Sequence, residues 1–300
     1  PILINDDRFN LTNTSPFVDN ANDGYGHGTS VAALAALGRE PYAYNFTGNF
    51  RAHAKLLSIK ILDANSGYIS IQDVLRLLAG AKQEYPEMKL FVLTTCFSSC
   101  KANNEDFSTY AYKLDKFAHE NDCLIFICTA NNNDASGQWS YDLNYFSNEA
   151  TNICAPAESM NNMIVGAAAD NLTVNAFMGI SNAREFPTLY TRKSHFELTD
   201  LFPINKQNKN LFRPDVIESG GDYEQSGIFI GVGYQASMEV LSANPAFGFY
   251  KESGTSFSTP LVANIAARIM RDYPSLKAQT IKALIVNGAS LDKIPFDQPI

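Results

Sequence analysis

One histidine and one serine in this 300-residue chain stand in surroundings that suit chemistry. His27 lies in Gly24-Tyr25-Gly26-His27-Gly28-Thr29-Ser30-Val31-Ala32-Ala33. Glycines on both sides allow a tight chain reversal, and the small and apolar residues that follow suit a buried helix. The imidazole therefore sits at the mouth of that helix, poorly placed to fill a core. Ser256 lies in Ser253-Gly254-Thr255-Ser256-Phe257-Ser258-Thr259-Pro260-Leu261-Val262-Ala263. A glycine-led turn delivers it to a helix N-terminus, where free N–H groups and the positive helix end favour an oxyanion forming beside the serine. Pro260 is tolerated in a first turn. A serine in that place can also simply cap the helix, so both readings stand.

The remaining reactive residues are less specific. His53, His119 and His195 lack a spacing suited to a metal site. Of five cysteines, Cys123 and Cys128 flank an apolar stretch and read as buried thiols. Cys96 and Cys100 form one C-x-x-x-C without a second pair, which is weak grounds for either a metal or mutual approach. An odd cysteine count does not suit a fully disulfide-bonded protein, and free-looking cysteines lean slightly towards a reducing compartment. Asn10, Asn13, Asn45 and Asn171 head N-x-[ST] triplets, a pattern too common to establish secretion. Asp19, Asn20, Asn22 and Asp23 make a mixed acid and amide run that reads as a solvated loop.

Alternating strands and helices must carry these residues. Lys55–Leu62, Leu90–Thr95, Leu124–Thr129 and Met163–Ala169 are short apolar runs of strand character. Between them, Ile71, Val74, Leu78 and Ala81 recur at helical spacing until Tyr85-Pro86, and Phe107, Ala111, Leu114 and Ala118 mark a second helix. Strands apolar on both faces and separated by helices predict a parallel sheet covered on both sides. Residues 179–210 are polar and irregular, with Arg184, Tyr190, Arg192, Lys193 and His195, and predict an inserted surface excursion. Regular structure resumes near Asp215-Val216-Ile217, and two helices, about 256–271 and 277–287, close the chain. Residues 1–290 read as one domain and 291–300 as a linker or tail.

Composition narrows the partners. Lys and Arg number 23 against 31 Asp and Glu, a net charge of −8, with 45% hydrophobic and 18% charged residues. That is globular composition, large enough for a sizeable core. The acidic balance argues against nucleic acid, whose phosphates call for clustered Lys and Arg. No apolar run reaches the ~18 residues of a membrane span; the longest, such as 124–130 and 163–169, fit buried strands.

Taken together, G-H-G-T-x-V-A at residues 26–32 and G-T-S-x-S-x-P-x-V-A at 254–263 resemble the subtilisin-like serine proteases, the subtilase family. The likeness runs between the motifs. Lys55–Leu62 resembles the family strand after the histidine helix, Leu90–Cys96 the strand that pairs with bound peptide, and Arg213-Pro214-Asp215-Val216 the family's [KR]-P-D-[IV] segment. Gln279–Asn287 resembles its final core helix. Cys128-Thr129-Ala130-Asn131-Asn132 resembles A-A-A-G-N, whose asparagine completes the oxyanion hole. On that match Asn132 is the oxyanion donor and Asn131 replaces the usual glycine.

The resemblance implies an α/β, three-layer subtilisin-like fold with a mostly parallel central sheet and helices on both faces. It implies a serine endopeptidase acting on polypeptide, with Ser256 as nucleophile and His27 as general base. Peptide would add as a strand to the edge near Leu93, Thr94, Thr95 and Cys96, with Thr129, Ala130 and Asn131 in the wall of the specificity pocket. No cofactor is implied; calcium binds to loops of many relatives, but no ligand set is assigned here.

The family's aspartate is the missing part. It follows an early strand as D-[ST]-G, and none of the 26 residues before His27 forms that motif. The preferred expectation is an aspartate upstream of Pro1, making the chain an N-terminally incomplete fragment with weak activity or none. Asp6 or Asp7 after Pro1–Asn5 is the alternative within the chain, although Arg8-Phe9 stands where small residues belong. A peptide-binding pseudoprotease is the reading from another class. An α/β-hydrolase is set aside: Gly254–Ser258 lacks the second glycine of G-x-S-x-G and no histidine follows Ser256.

Overall fold

A computed structural model describes residues 3–5, 23, 25–39, 52–62, 69–103, 105–132, 140–173, 177–194, 212–244, 246 and 248–289. Four parallel strands form the central sheet, in the order β3 (Leu90–Leu93), β4 (Leu124–Cys128), β5 (Met163–Ala168) and β6 (Val216–Ser219). A second parallel pair joins β1 (Leu3–Asn5) to β2 (Leu56–Ser58). Two antiparallel hairpins, β7 (Tyr223–Ser226) with β8 (Phe229–Val232) and β9 (Met238–Leu241) with β10 (Phe249–Glu252), lie between β6 and the last two helices.

Residue alternation explains why β4 carries no polar face. Ile125 and Ile127 pack with Ile71, Val74 and Ala81 of α2 (Ile71–Glu84) and Leu114 and Ala118 of α3 (Thr109–Glu120). Leu124 and Phe126 pack the opposite way, on Val262, Ala263 and Ala266 of α4 (Thr255–Asp272) and Ile281 and Ile285 of α5 (Ala278–Gly288). Helices on both faces of a parallel sheet require an apolar residue at every strand position, and all five residues of β4 are buried. The expected α/β architecture is thus present. Ser70 and Ser108 cap α2 and α3 by accepting from Asp73 N and Ala111 N.

The segment 177–194 departs from the expected surface excursion. Leu189, Tyr190, Thr191, Arg192, Lys193 and Ser194 are all buried. Their polarity is accommodated by partners in place. Arg192 Nη1 donates to the Ala150 and Asn152 carbonyls, both at 2.9 Å, and Lys193 Nζ donates to Asn152 Oδ1 at 2.7 Å. Burial still lowers the Lys193 pKa to about 8. Polar composition predicts an external course, but Arg192 and Lys193 find hydrogen-bond partners inside, with Arg192 Nε left unpaired.

Buried charges serve the frame elsewhere. Lys282 Nζ, on α5, donates to Met160 O at 3.0 Å and to Asn162 O, and pairs with Asp215 at 3.2 Å. Lys101 and Glu158, both buried, pair at 3.5 Å beneath the loop after β3. No helix among the described residues is long and apolar enough to cross a membrane.

Candidate active site

Ser256 occupies the second residue of α4. From Ser253 to Asn264 every residue is buried except Ser256. The residue preceding the helix is Gly254, which has no side chain to cap it, and Ser256 is already inside the first turn. The capping role open to Ser256 is therefore not the one it plays. Neighbouring hydroxyls do the structural work: Ser258 and Thr259 bond to the Thr255 carbonyl at 3.0 and 2.8 Å, and Ser253 Oγ to the Asp222 carbonyl at 2.9 Å. Gly254 N donates to Gly220 O at 2.9 Å, tying the turn to the end of β6.

His27 opens α1 (His27–Leu37). Gly26 before it has φ 83°, the left-handed region that favours glycine. Asp23 holds this helix end: its carboxylate accepts from Gly26 N at 2.9 Å and Thr29 N at 2.6 Å. These bonds outweigh burial and keep the Asp23 pKa below the usual 3.8. The acid and amide run thus ends in a helix anchor rather than only a solvated loop; its other three members lie outside the described residues.

Helix α1 packs against α4, and the His27 ring lies 5.9 Å from the ring of Phe257, the residue after Ser256. An edge of His27 stays exposed, while packing removes enough water to lower its pKa below 6.5 despite the opposing pull of Asp23. Among the described residues no carboxylate hydrogen-bonds the ring. Asp6 and Asp7 lie outside the described residues, as does His195. His53 is structural: Nδ1 meets Asn264 Oδ1 at 3.1 Å, and Asn264 donates to Ala35 O at 2.9 Å, joining α1 to α4.

The turn after β4 separates the two adjacent asparagines. Ala130 has φ 70° and reverses the chain. Asn131 then reaches the nucleophile turn, where its Oδ1 accepts from Thr255 N at 3.0 Å and Thr255 Oγ1 at 2.9 Å. A Cβ on Gly254 would lie 3.0 Å from Asn131 Nδ2, so glycine there admits the amide. Asn132 points elsewhere. It is buried, its N–H donates to Tyr190 O at 2.7 Å, and Nδ2 donates to Tyr145 Oη at 2.9 Å. The expectation of Asn132 as the amide beside Ser256 thus does not match the geometry, which puts Asn131 there. Ala130, not Asn131, holds the conformation in which the family's glycine was expected.

Around this centre, Leu93 and Thr129 are buried, so their side chains face the interior. Thr94, Thr95, Cys96, Ala130 and Asn131 are half-buried. β3 is an edge strand of the four-stranded sheet. All five cysteines are free thiols. Cys96 pairs with Cys128, not with Cys100, which faces Cys154 across an isolated antiparallel bridge. Cys123 is buried, as expected, and its pKa is pushed up to about 11 by burial. Asn171 is also buried, its amide held by Gln235 O, so that triplet offers no accessible acceptor. Among the described residues no group of three or more His, Cys, Asp or Glu could hold a metal ion.

The sequence model of the subtilase family, peptidase S8, matches residues 4–298, nearly the whole chain. The chain belongs to the subtilase family. Among curated proteins it is similar to the uncharacterized protein y4bN of Sinorhizobium fredii, 26% identical over 197 residues. That alignment takes in 61% of this chain and 44% of y4bN, so the chain spans less than half the length of that relative. Among solved structures this subtilase resembles the S41 psychrophilic protease (TM-score 0.57, 18% identity, 94% of this chain and 75% of the other). It also resembles the prenylagaramide maturation protease PagA (TM-score 0.54, 17% identity, 88% and 72%) and a cold adapted subtilisin-like serine proteinase (TM-score 0.51, 16% identity, 90% and 70%). At these identities the likeness is one of fold.

Proposed function

We propose that this subtilase is a serine endopeptidase with Ser256 as nucleophile and His27 as general base. The observation that carries the reading is that Ser256, half-buried, alone stays accessible in a buried turn whose next residue back is clamped by Asn131. Ser256 Oγ attacks the scissile carbonyl, and His27 takes its proton and returns it to the leaving amine. The Ser256 N–H, at the start of α4, is one oxyanion donor. Asn131 Nδ2 is the other, since Oδ1 is already committed to Thr255 and leaves the NH₂ group turned along the same turn. Asn132, whose Nδ2 serves Tyr145, holds the turn from behind.

For the third member we favour Asp6 or Asp7. They follow β1 directly in sequence, β1 pairs in parallel with β2, and the family match begins within β1 at residue 4. Extended polypeptide adds to the edge at Thr94–Cys96. The proposed chemistry uses these side chains and the Ser256 backbone N–H, and no calcium ligands are assigned. The absence of a carboxylate on His27 among the described residues supports a second reading, a peptide-binding pseudoprotease.

Fluorophosphonate labelling separates them. Labelling that is lost in Ser256→Ala and slowed by about 10⁴ in either Asp6→Asn or Asp7→Asn supports the triad; subtilisin itself loses about 3 × 10⁴ in turnover without its aspartate. Normal labelling in both aspartate variants would rule out Asp6 and Asp7 as the triad acid. A folded chain that never labels is the pseudoprotease.

A further inference from the structure

Two thiols meet at the base of the turn that carries Asn131. Cys96 follows β3 and Cys128 is the last residue of β4, and their sulfurs are 3.7 Å apart. The Cys96 thiol donates to the Cys128 carbonyl at 3.2 Å. The strands beneath them run in parallel register, with Leu93 opposite Ile127, so the contact closes the end of a ladder that both strands already share. Cys128 is buried and Cys96 half-buried, so Cys96 is the less enclosed of the two. One link runs from Cys128 to the nucleophile turn: along the chain, Thr129 and Ala130 separate it from Asn131, whose Oδ1 holds the Thr255 N–H and hydroxyl.

The geometry points to Cys96 and Cys128 as a dithiol–disulfide switch that acts on the oxyanion turn. The oxidant is a small-molecule disulfide such as oxidised glutathione. The Cys96 thiolate attacks one sulfur of that disulfide and forms a mixed disulfide, releasing one small thiolate. The Cys128 thiolate then attacks the Cys96 sulfur and releases the second. One S–S bond breaks and one forms. Both protein thiols lose their protons to the departing thiolates, and the two electrons taken from the protein reduce the oxidant. In the resting pair the hydrogen bond between the two sulfurs, and then burial, holds the Cys96 pKa up while the same bond lowers that of Cys128, so the Cys96 proton must leave before the first attack.

Closing 3.7 Å to the ~2.05 Å of a disulfide draws the end of β4 towards Cys96. It also removes the S–H that the Cys128 carbonyl accepts. The turn from Thr129 to Asn131 starts at that carbonyl, so the clamp on Thr255 N–H moves with it. Cys100 and Cys154 lack this connection, and Cys123 packs in the core away from the turn. The effect on catalysis rests on Asn131 as an oxyanion donor; the bond and the movement of the clamp do not.

The test treats the full chain with oxidised glutathione and follows three readouts. Peptide mapping after alkylation reads the Cys96–Cys128 link, hydrogen exchange reads the Thr255 amide, and fluorophosphonate reads Ser256. The expected result is the link, faster exchange at Thr255, and about tenfold slower labelling, short of the 10² to 10³ of losing an oxyanion donor outright. Dithiothreitol should reverse all three, and Cys96→Ser and Cys128→Ser should each abolish them while Cys123→Ser does not. If the reduced chain never labels, the protease reading fails, while a link with faster exchange still upholds the switch. No link, a link through another cysteine, or a link without a change at Thr255 would overturn it.

Discussion

From Ser253 to Asn264 only Ser256 escapes burial, whereas Tyr25, His27 and Gly28 around the histidine are all exposed. The serine turn is held from several elements at once: Gly220 after β6, Asp222 before β7, and Asn131 after β4. The histidine end is held locally, by Asp23, and by the packing of α1 on α4. A nucleophile beside an oxyanion hole needs donors fixed before charge develops. A base must take a proton and give it back, and its ring needs an orienting partner rather than a rigid backbone. The two halves are built to those different needs.

The widest separation from the rest of the molecule comes from removing either half. Ser256→Ala and His27→Ala should each reduce turnover by about 10⁶, and the double variant should be little worse, as in subtilisin, where members of the triad act as a unit. Additive losses in a steady-state assay would break the pairing of these two residues.

Next comes the contrast between neighbouring asparagines. Asn131→Ala should lower kcat by roughly 10² to 10³ with little change in KM, as expected for a donor that acts on the transition state. Asn132→Ala leaves Tyr145 Oη and a buried site without a partner, so its main cost should be stability, about 1–3 kcal/mol in denaturant unfolding. The reverse pattern would restore Asn132 as the donor.

Two glycines sharpen the same comparison through stability. Gly26 has a left-handed φ of 83°, and the nearest atom to an added Cβ is 3.6 Å away, so Gly26→Ala meets backbone strain without a clash. A loss of about 1–2 kcal/mol is expected. Gly254 is extended at φ 164°, and there an added Cβ presses on the Asn131 amide instead. Gly254→Ala should therefore lower kcat by up to about tenfold, with a smaller change in melting temperature than Gly26→Ala. Equal melting shifts and unchanged kcat would show that the Asn131 contact is not tight.

How far the sequence reveals these halves follows from what periodicity can see. The strands and helices of the sheet were legible because burial on both faces leaves an apolar run, as in Leu124–Cys128, and because Ile71, Val74 and Ala81 recur on one helix face. His27 and Ser256 were legible because each sits in a long motif with glycine at the turn. Which asparagine faces the serine was not, because the choice depends on where the chain reverses. A glycine would have announced that point; here Ala130 takes the positive φ and conceals it. The buried course of Tyr190–Ser194 was hidden for a related reason: Arg192 and Lys193 find carbonyl and amide partners that only the fold brings near. The hairpin Tyr223–Val232 alternates weakly, and Phe229 and Val232 are exposed, so no apolar face marks it.

The smallest expected effect tests the surroundings of His27. Its pKa is lowered below 6.5, first by loss of water around the ring, with Asp23 pulling the other way. The base works only when neutral, so kcat/KM should rise with pH through the folded pKa and level off before an unperturbed histidine would allow. Asp23→Asn removes the opposing charge and should move the acid limb lower still, by less than about one pH unit for a partly exposed group. The linkage has a matching sign. A histidine whose folded pKa is lowered binds fewer protons folded than unfolded. It therefore contributes stability above the unfolded pKa that is lost as pH falls through 6.5 towards the folded value. His27→Gln should flatten that part of the stability–pH curve. An acid limb that moves upward in Asp23→Asn would show that Asp23 acts on His27 through the geometry of the helix end, and the charge comparison between the two halves would have to be redrawn.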